Sequence, residues 1–543
     1  MQIMEQSSST LCCGLDSDFK CNHVRSGVGM YLGIDCGTQG TKALVVDRDG
    51  TAFGRGYAPH ELTESSSGAR EQQPVWWIKA LRIAVKQALS SMPAGSVRAL
   101  SVSGQQHGLV VLDENLEVIR PAKLWNDTET VAQNEELIER LGGREAFFER
   151  FGIVPLTGYT VSKLLWLAEN EPDNFARIRH ILLPHEYLNF WLTGQLRAEY
   201  GDASGTAFFD PRTRTWAPDV LAAIDGGSGL LERALPALVS AEEIVGTLRL
   251  EVASELGLHA STLVASGGGD NMMGAIGTGN IQEGIVTMSL GTSSTVYSFR
   301  NAPSSDVTGC VAPFCSSSGG WLPLVCTMNA TNIVTQTVNL LGKTVADIDA
   351  ALKTTSPGAG GITFLPFLNG ERTPNLPTAT GSLLGVTSTN WSAENLIRAA
   401  VEGVSFGMLA GLDLILNGAH GERIRLIGGG ARSAAWRQLL ADATGTIIEV
   451  PLEEEAGCLG AAMQAMYAEG HALSKKEGFT EIASRCVQLD GAKTMYPDTI
   501  QRSAYLLARR RYKDYLKLLH PETQNSVSQN LNSVPASAVT ANR

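Results

Sequence analysis

The sequence predicts an α/β protein with sheets flanked by helices, built as two similar domains. Three observations carry that expectation. Short β-rich runs ending in glycine or turn residues ("ALSVSG", "TLVASGGG", "IVTMSLG", "RIRLIGGG") alternate with helix-period stretches such as "PVWWIKALRIAVKQALSS" and "AENLIRAAVEGVSFGMLAGLDLIL". A chain of 543 residues, 43% of them hydrophobic, has length for roughly two to four cores. Finally, "MYLGIDCGTQGTKALVVD" and "IVTMSLGTSSTVYSF" share a plan: apolar strand, Gly-Thr-x-x-Thr, apolar strand. Gly37, Thr38 and Thr41 match Gly291, Thr292 and Thr295. Gly-Thr turns also occur in unrelated hairpins, so the repeat alone does not decide the matter.

Composition narrows the function. A net charge of −12 argues against a general nucleic-acid binder, which needs a surplus of Lys and Arg, but leaves room for a small phosphate ligand held by backbone N–H groups. Nine cysteines are scattered without CxxC or Cys/His spacing, which points to a reducing cytoplasm and away from a disulfide framework or zinc site. No stretch is expected to approach the length and apolarity of a membrane span, so no membrane partner is expected. Residues 1–29 lack a continuous apolar segment and read as a poorly ordered extension, not a signal peptide. The Ser/Asn-rich end, 520–543, reads as a disordered tail. The domains are then expected at 30–279 and 280–519.

In chain order, the first hairpin raises a question of chemistry. Its apolar strand stops at Asp35, followed by Gly37, Thr38, Gln39, Thr41 and Lys42. Glycines let backbone N–H groups point outward, and hydroxyls add donors, so a polyphosphate is the natural ligand. GxxxxGK[ST] is absent, which excludes a Walker A loop. Asp35 can hold Mg²⁺ against those phosphates, or can brace the turn as an Asx-type acid. Next, "SVSGQQHG" and "PAKLWND" bring Gln105, Gln106, His107, Trp125, Asn126 and Asp127. Amide, imidazole and carboxylate groups together can read sugar hydroxyls, although His107 also reads as a satisfied structural histidine. In "TLVASGGGDN", three glycines precede Asp270 and remove side-chain bulk, so a substrate can reach the carboxylate. A hydroxyl attacking phosphorus needs such a base; an ordinary helix N-cap is the alternative. Gly291, Thr292 and Ser293 then offer a second grip on the phosphates. Last, "LIGGGARSAAWRQ" presents Gly429, Gly430 and Ser433 at a strand-to-helix turn that suits adenosine.

These segments together resemble the FGGY carbohydrate kinases. "GYTVSKLLWLAEN" (158–170) and "GSLLGVTSTNWSAENLIRAAVE" (381–402) fit the two family signatures. "GQQHG", "PAKLWND", "GGGDN", "LGTSS", "FLNGERTP" and "GGGARSAAWRQ" resemble the segments of members that act on xylulose, and the likeness runs from Met30 to about residue 518. The resemblance implies two actin-like, ribonuclease-H-type domains with a cleft between them. It implies ATP-dependent phosphorylation of D-xylulose at O5, with ribulose, glycerol and gluconate kinases, or a non-enzymatic actin-like ATP switch, as the alternatives. Carried over, Asp270 is the catalytic base and Asp35 the acid that organises phosphate and Mg²⁺. Thr38 and Thr41, with Gln39 and Lys42, match the first phosphate loop, and Gly291 and Thr292 the second. Gly429, Gly430 and Ser433 match the adenosine loop. Gln106, His107, Asp270 and Asn271 face the sugar, with Gln106 standing where bacterial relatives commonly carry Met. The implied partners are a small sugar and ATP, and a homodimer is left open.

Overall fold

The computed structural model describes residues 29–521 and 523, apart from 94, 420 and 476. The expected extension 1–29 and tail 520–543 therefore lie almost wholly outside the described residues. Strand β1 (Met30–Cys36) is buried along its length except at Asp35 and Gly29 before it, as its run of large apolar residues requires. It turns back into β2 (Gly40–Val46), which pairs in turn with β3 (Ala52–Pro59). Helix α1 (Pro74–Ala88) starts with proline, whose missing N–H costs nothing in a first turn, and buries Trp77, Leu81 and Val85. Strand β4 (Val97–Gly104) then lies parallel to β1, as expected after a helical crossover.

Further strands complete this sheet: β5 (Ile244–Thr247), β6 (Leu263–Ala265) and the short β7 (Gly268–Gly269), which also pairs with β4. The sheet order is β5-β6-β4-β1-β2-β3. The second sheet uses β8 (Ile285–Leu290), β9 (Ser294–Ser298), β10 (Ala312–Cys315), β11 (Trp321–Thr327), β12 (Arg423–Ile427) and β13 (Ile447–Glu449), in the order β10-β11-β9-β8-β12-β13. Five strands repeat between the two sheets: β3-β2-β1-β4-β6 and β11-β9-β8-β12-β13. Each set runs antiparallel, antiparallel, parallel, parallel. The protein thus consists of two mixed α/β domains whose sheets are flanked by helices, and the repeated hairpin opens each one.

The domains share a seam. Helix α2 (Asp270–Gly277) of the first domain packs on helix α3 (Ala456–Ala472) from the far end of the chain, and α3 also covers β1. The contact is backbone on backbone. A Cβ at Gly460 would lie 1.8 Å from the Met273 carbonyl, and one at Gly33 the same distance from the Cys458 carbonyl. One expectation is corrected here. Helix Ala393–Leu416 is long and apolar enough to cross a membrane by length and composition. Its apolar residues, among them Ile397, Val401, Val404 and Leu409, are buried in the second domain's core.

Candidate active site

Asp35 is half-buried at the end of β1, and its Oδ1 accepts a hydrogen bond from Ser103 Oγ on β4 at 2.6 Å. Burial pushes its carboxyl above the ordinary range, while the Ser103 hydroxyl and the Lys42 ammonium favour ionisation. The turn after β1 closes through Gly37 N–H to Gly40 O at 3.0 Å, and the turn after β8 through Gly291 N–H to Ser293 O at 3.2 Å. Among the described residues, the N–H groups of Thr38, Gln39, Thr292 and Ser293 have no acceptor. Both turns line one cleft of about 1120 Å³, together with Asp35, Lys42, Trp125 and Arg372. Unpaired donors on two turns that line one cleft, with a carboxylate beside one of them, suit an anionic chain that carries a cation.

A smaller cavity of about 230 Å³ adjoins the cleft; Trp125, Leu156, Ser293, Cys326 and Arg372 line both. Its wall brings together Gln106, His107, Asp270 and Asn271, all named from the sequence. Asp270 opens α2 but does not cap it. The capping position is Gly269, and the Asp270 carboxylate accepts instead from Asn271, from N at 2.7 Å and Nδ2 at 2.9 Å. Burial, with the charges of Asp35 and Asp202 added to it, pushes the Asp270 carboxyl up to about 7. His107 has a φ of 65°, uncommon for a residue with a side chain. Lys163 Nζ donates to its carbonyl at 2.5 Å and Thr160 Oγ1 at 3.2 Å, while its ring lies 4.7 Å from that of Tyr159. Burial and the nearby Lys163 and Arg372 charges push the imidazole well below its usual pKa, so it meets a ligand uncharged.

Other expected residues are either set apart from the cleft or already engaged by neighbours. Thr41 is fully buried, 2.9 Å from His60 Nε2 through its hydroxyl, and does not line the cleft. Lys42 lines it while paired with Glu455 at 2.6 Å. Ser433 caps the helix Ala434–Thr444 through Trp436 N and donates to Asp349, so its hydroxyl is spoken for. Gly430 is packed against Leu290, whereas the Cβ position of Gly429 points into open space. Asp127 is fully buried and pairs with Lys123 at 3.1 Å, so it braces the wall. The carboxylates of Glu71, Asp127 and Glu129 lie close enough together to hold a metal, but Lys123 Nζ already sits against all three.

The glycine run before Asp270 also works differently from its sequence reading. A Cβ at Gly267 would meet the Val102 carbonyl at 2.6 Å; at Gly268, Ser317 Oγ at 2.6 Å; at Gly269, Gln106 Cγ at 2.8 Å. Protein atoms, not substrate, use the space these glycines leave. Sequence reasoning missed Arg372, Ser289 and Thr295 as wall residues. Arg372 was in view within "FLNGERTP", but nothing local marks an arginine as cleft-facing. Ser289 was legible in principle, since it holds in the second hairpin the place of Asp35 in the first.

Profiles of the FGGY carbohydrate kinases match twice, the N-terminal domain over residues 30–277 and the C-terminal domain over residues 286–469. The chain belongs to the FGGY family of carbohydrate kinases. It is 48% identical to the xylulose kinase of Haemophilus influenzae, over 90% of this chain and 100% of that one. It is 33% identical to that of Escherichia coli, over 91% and 99%. Among solved structures it resembles a xylulose kinase from Bifidobacterium adolescentis, with a TM-score of 0.76 and 32% identity over 89% of this chain and 100% of that one. The family membership makes the protein a carbohydrate kinase that uses ATP.

Proposed function

We propose that the protein transfers the γ-phosphoryl group of ATP to O5 of D-xylulose, with Mg²⁺ held beside Asp35. The observation that carries this reading is the position of Asp270: a carboxyl raised to about 7 stands in a small cavity, beside Gln106, His107 and Asn271, that opens onto the cleft lined by the two turns. The substrate itself is argued from the names of the relatives, xylulose kinases that this chain covers almost end to end.

Phosphoryl transfer asks the protein mainly for positioning and for charge opposite the transferring group. The free N–H groups of Thr38, Gln39, Thr292 and Ser293 hold the triphosphate, and Arg372, at the junction of cavity and cleft, faces the transferring phosphoryl group. Asp35 fits a magnesium–triphosphate, because Oδ1 is engaged by Ser103 and the other oxygen has no partner among the described residues. The ion, when bound, draws charge from the phosphate oxygens. In the small cavity, neutral His107 and the amides of Gln106 and Asn271 orient the ketose. Asp270, once ionised, takes the O5 proton as the oxygen attacks phosphorus. The cysteines among the described residues are free thiols, which suits the reducing cytoplasm in which we place the reaction.

A coupled ADP-release assay across D-xylulose, D-ribulose, L-xylulose, glycerol and gluconate tests the proposal. D-xylulose should give the highest kcat/KM, ahead of the others by about tenfold or more, since unmatched hydroxyls leave buried polar groups unpaired. Preference for gluconate or glycerol would move the substrate assignment. No sugar-stimulated ADP release at all would favour an actin-like ATP switch.

A further inference from the structure

Behind the sugar cavity lies a buried group of ionisable residues that the reaction described above does not use. His185 and Asp202 are both fully buried and pair through Nδ1 and Oδ2 at 2.7 Å. Glu186 and Glu199 flank them, each also buried. Burial works against charge on the His185 ring, yet the Asp202 carboxylate raises its pKa on balance; burial raises that of Asp202. The other Asp202 oxygen, Oδ1, is buried without a hydrogen bond, and so is Gln106 Nε2. The Gln106 side chain faces Asp202 closely enough to favour its ionised form. From Gln106 the contacts continue towards the reaction centre. Asn271 Nδ2 donates to Gln106 Oε1 at 2.9 Å, and the same Nδ2 donates to Asp270 Oδ1 at 2.9 Å.

The order of donors and acceptors along this row follows from one end. With Asp202 Oδ2 taken up by His185 Nδ1, Oδ1 is left as a buried acceptor that still lacks a donor. It therefore attracts the NH₂ end of the Gln106 amide, which turns the Gln106 carbonyl towards Asn271. Asn271 must answer with its own NH₂, and that group reaches Asp270. The Asn271 carbonyl is left as the free acceptor of the amide in the cavity wall. Gly269 keeps the row compact, since any Cβ there would collide with Gln106.

We propose that Asp202, anchored by His185, is a positioning residue that sets the orientation of the Gln106 and Asn271 amides and so decides which polar atoms the sugar and Asp270 meet. The proposal rests on the ketose-kinase reading and deepens it; it assigns to Asp202 no contact with the sugar.

A double-mutant cycle on the full chain tests it, with Asp202→Asn, Gln106→Leu and the pair combined. The substrate is whichever panel sugar the parent enzyme turns over best, so failure of the D-xylulose reading shows in the parent alone. Asp202→Asn lets the first amide take either orientation. It should lower kcat/KM for the sugar by about ten- to a hundredfold while leaving KM for ATP within about twofold. In the Gln106→Leu background, where the row is already cut, Asp202→Asn should change kcat/KM by less than about twofold. Equal loss from Asp202→Asn in both backgrounds, or no loss in either, overturns the proposal. If Asp202→Asn fails to fold, His185→Gln removes the anchor and should show the same dependence on Gln106; independence from Gln106 there overturns it too.

Discussion

The two Gly-Thr hairpins look alike in sequence, and the structure shows where they part. In the first, Cys36 pairs with Thr41 across four turn residues; in the second, Leu290 pairs with Ser294 across three. Because strand side chains alternate faces, that single residue reverses the outcome for the second threonine of each motif. Thr41 turns inward to His60, while Thr295 pairs opposite Ser289 and lines the sugar cavity. The strands before the turns differ as well: Asp35 ends one and Ser289 occupies the equivalent place in the other. In the function we propose, one hairpin brings charge for a cation, and its partner brings hydroxyls towards the acceptor. A repeated motif need not do the same work twice.

That contrast can be broken at graded cost. The largest effect is expected where neither hairpin can compensate. Asp270→Asn should lower kcat by about 10²–10⁴, the usual contribution of a positioned base, while sugar affinity by calorimetry stays within about tenfold. Asp35→Asn should come next, raising the Mg²⁺ concentration needed for half-maximal rate; Ser289→Ala should leave it unchanged. If both variants shifted the Mg²⁺ response alike, the hairpins would be equivalent and the account wrong. Thr295→Val should raise KM for the sugar several-fold and spare KM for ATP. Thr41→Val should spare both and instead cost about 1 kcal/mol of stability through the lost buried hydrogen bond, read by denaturant unfolding.

The remaining effects concern protons. Burial leads in raising the Asp270 carboxyl to about 7, so the base is ionised only above that value, and kcat/KM should fall as pH drops through it. Linkage gives a stability signature of the same group. A carboxyl whose folded pKa is raised disfavours the fold once pH exceeds its unfolded value near 4. The effect grows up to about 7 and then levels. Asp270→Asn should therefore raise Tm at about pH 8 and leave it nearly unchanged at about pH 4.

Much of this was legible in the sequence, for reasons that are local. Strand periods, Gly-Thr turns and the acids at Asp35 and Asp270 are each read from a short local stretch of chain, and the cavity gathers Gln106, His107, Asp270 and Asn271. What could not be read depends on partners far along the chain. The glycines before Asp270 suggested an open approach, but Ser317 and Gln106 fill that space. Ser433 suggested adenosine, but Asp349, 84 positions away, engages its hydroxyl. The length of the second turn was visible, yet its register depends on which residues of β8 and β9 pair, which the motif Gly-Thr-x-x-Thr does not state.

The central claim is that two opposed turns close on one triphosphate. Hydrogen–deuterium exchange with and without a non-hydrolysable ATP analogue and Mg²⁺ reads it directly. The account predicts slower exchange in both segments, 36–41 and 290–295, at the same analogue concentration. Protection of one turn alone, or of neither while the analogue is bound, would contradict it.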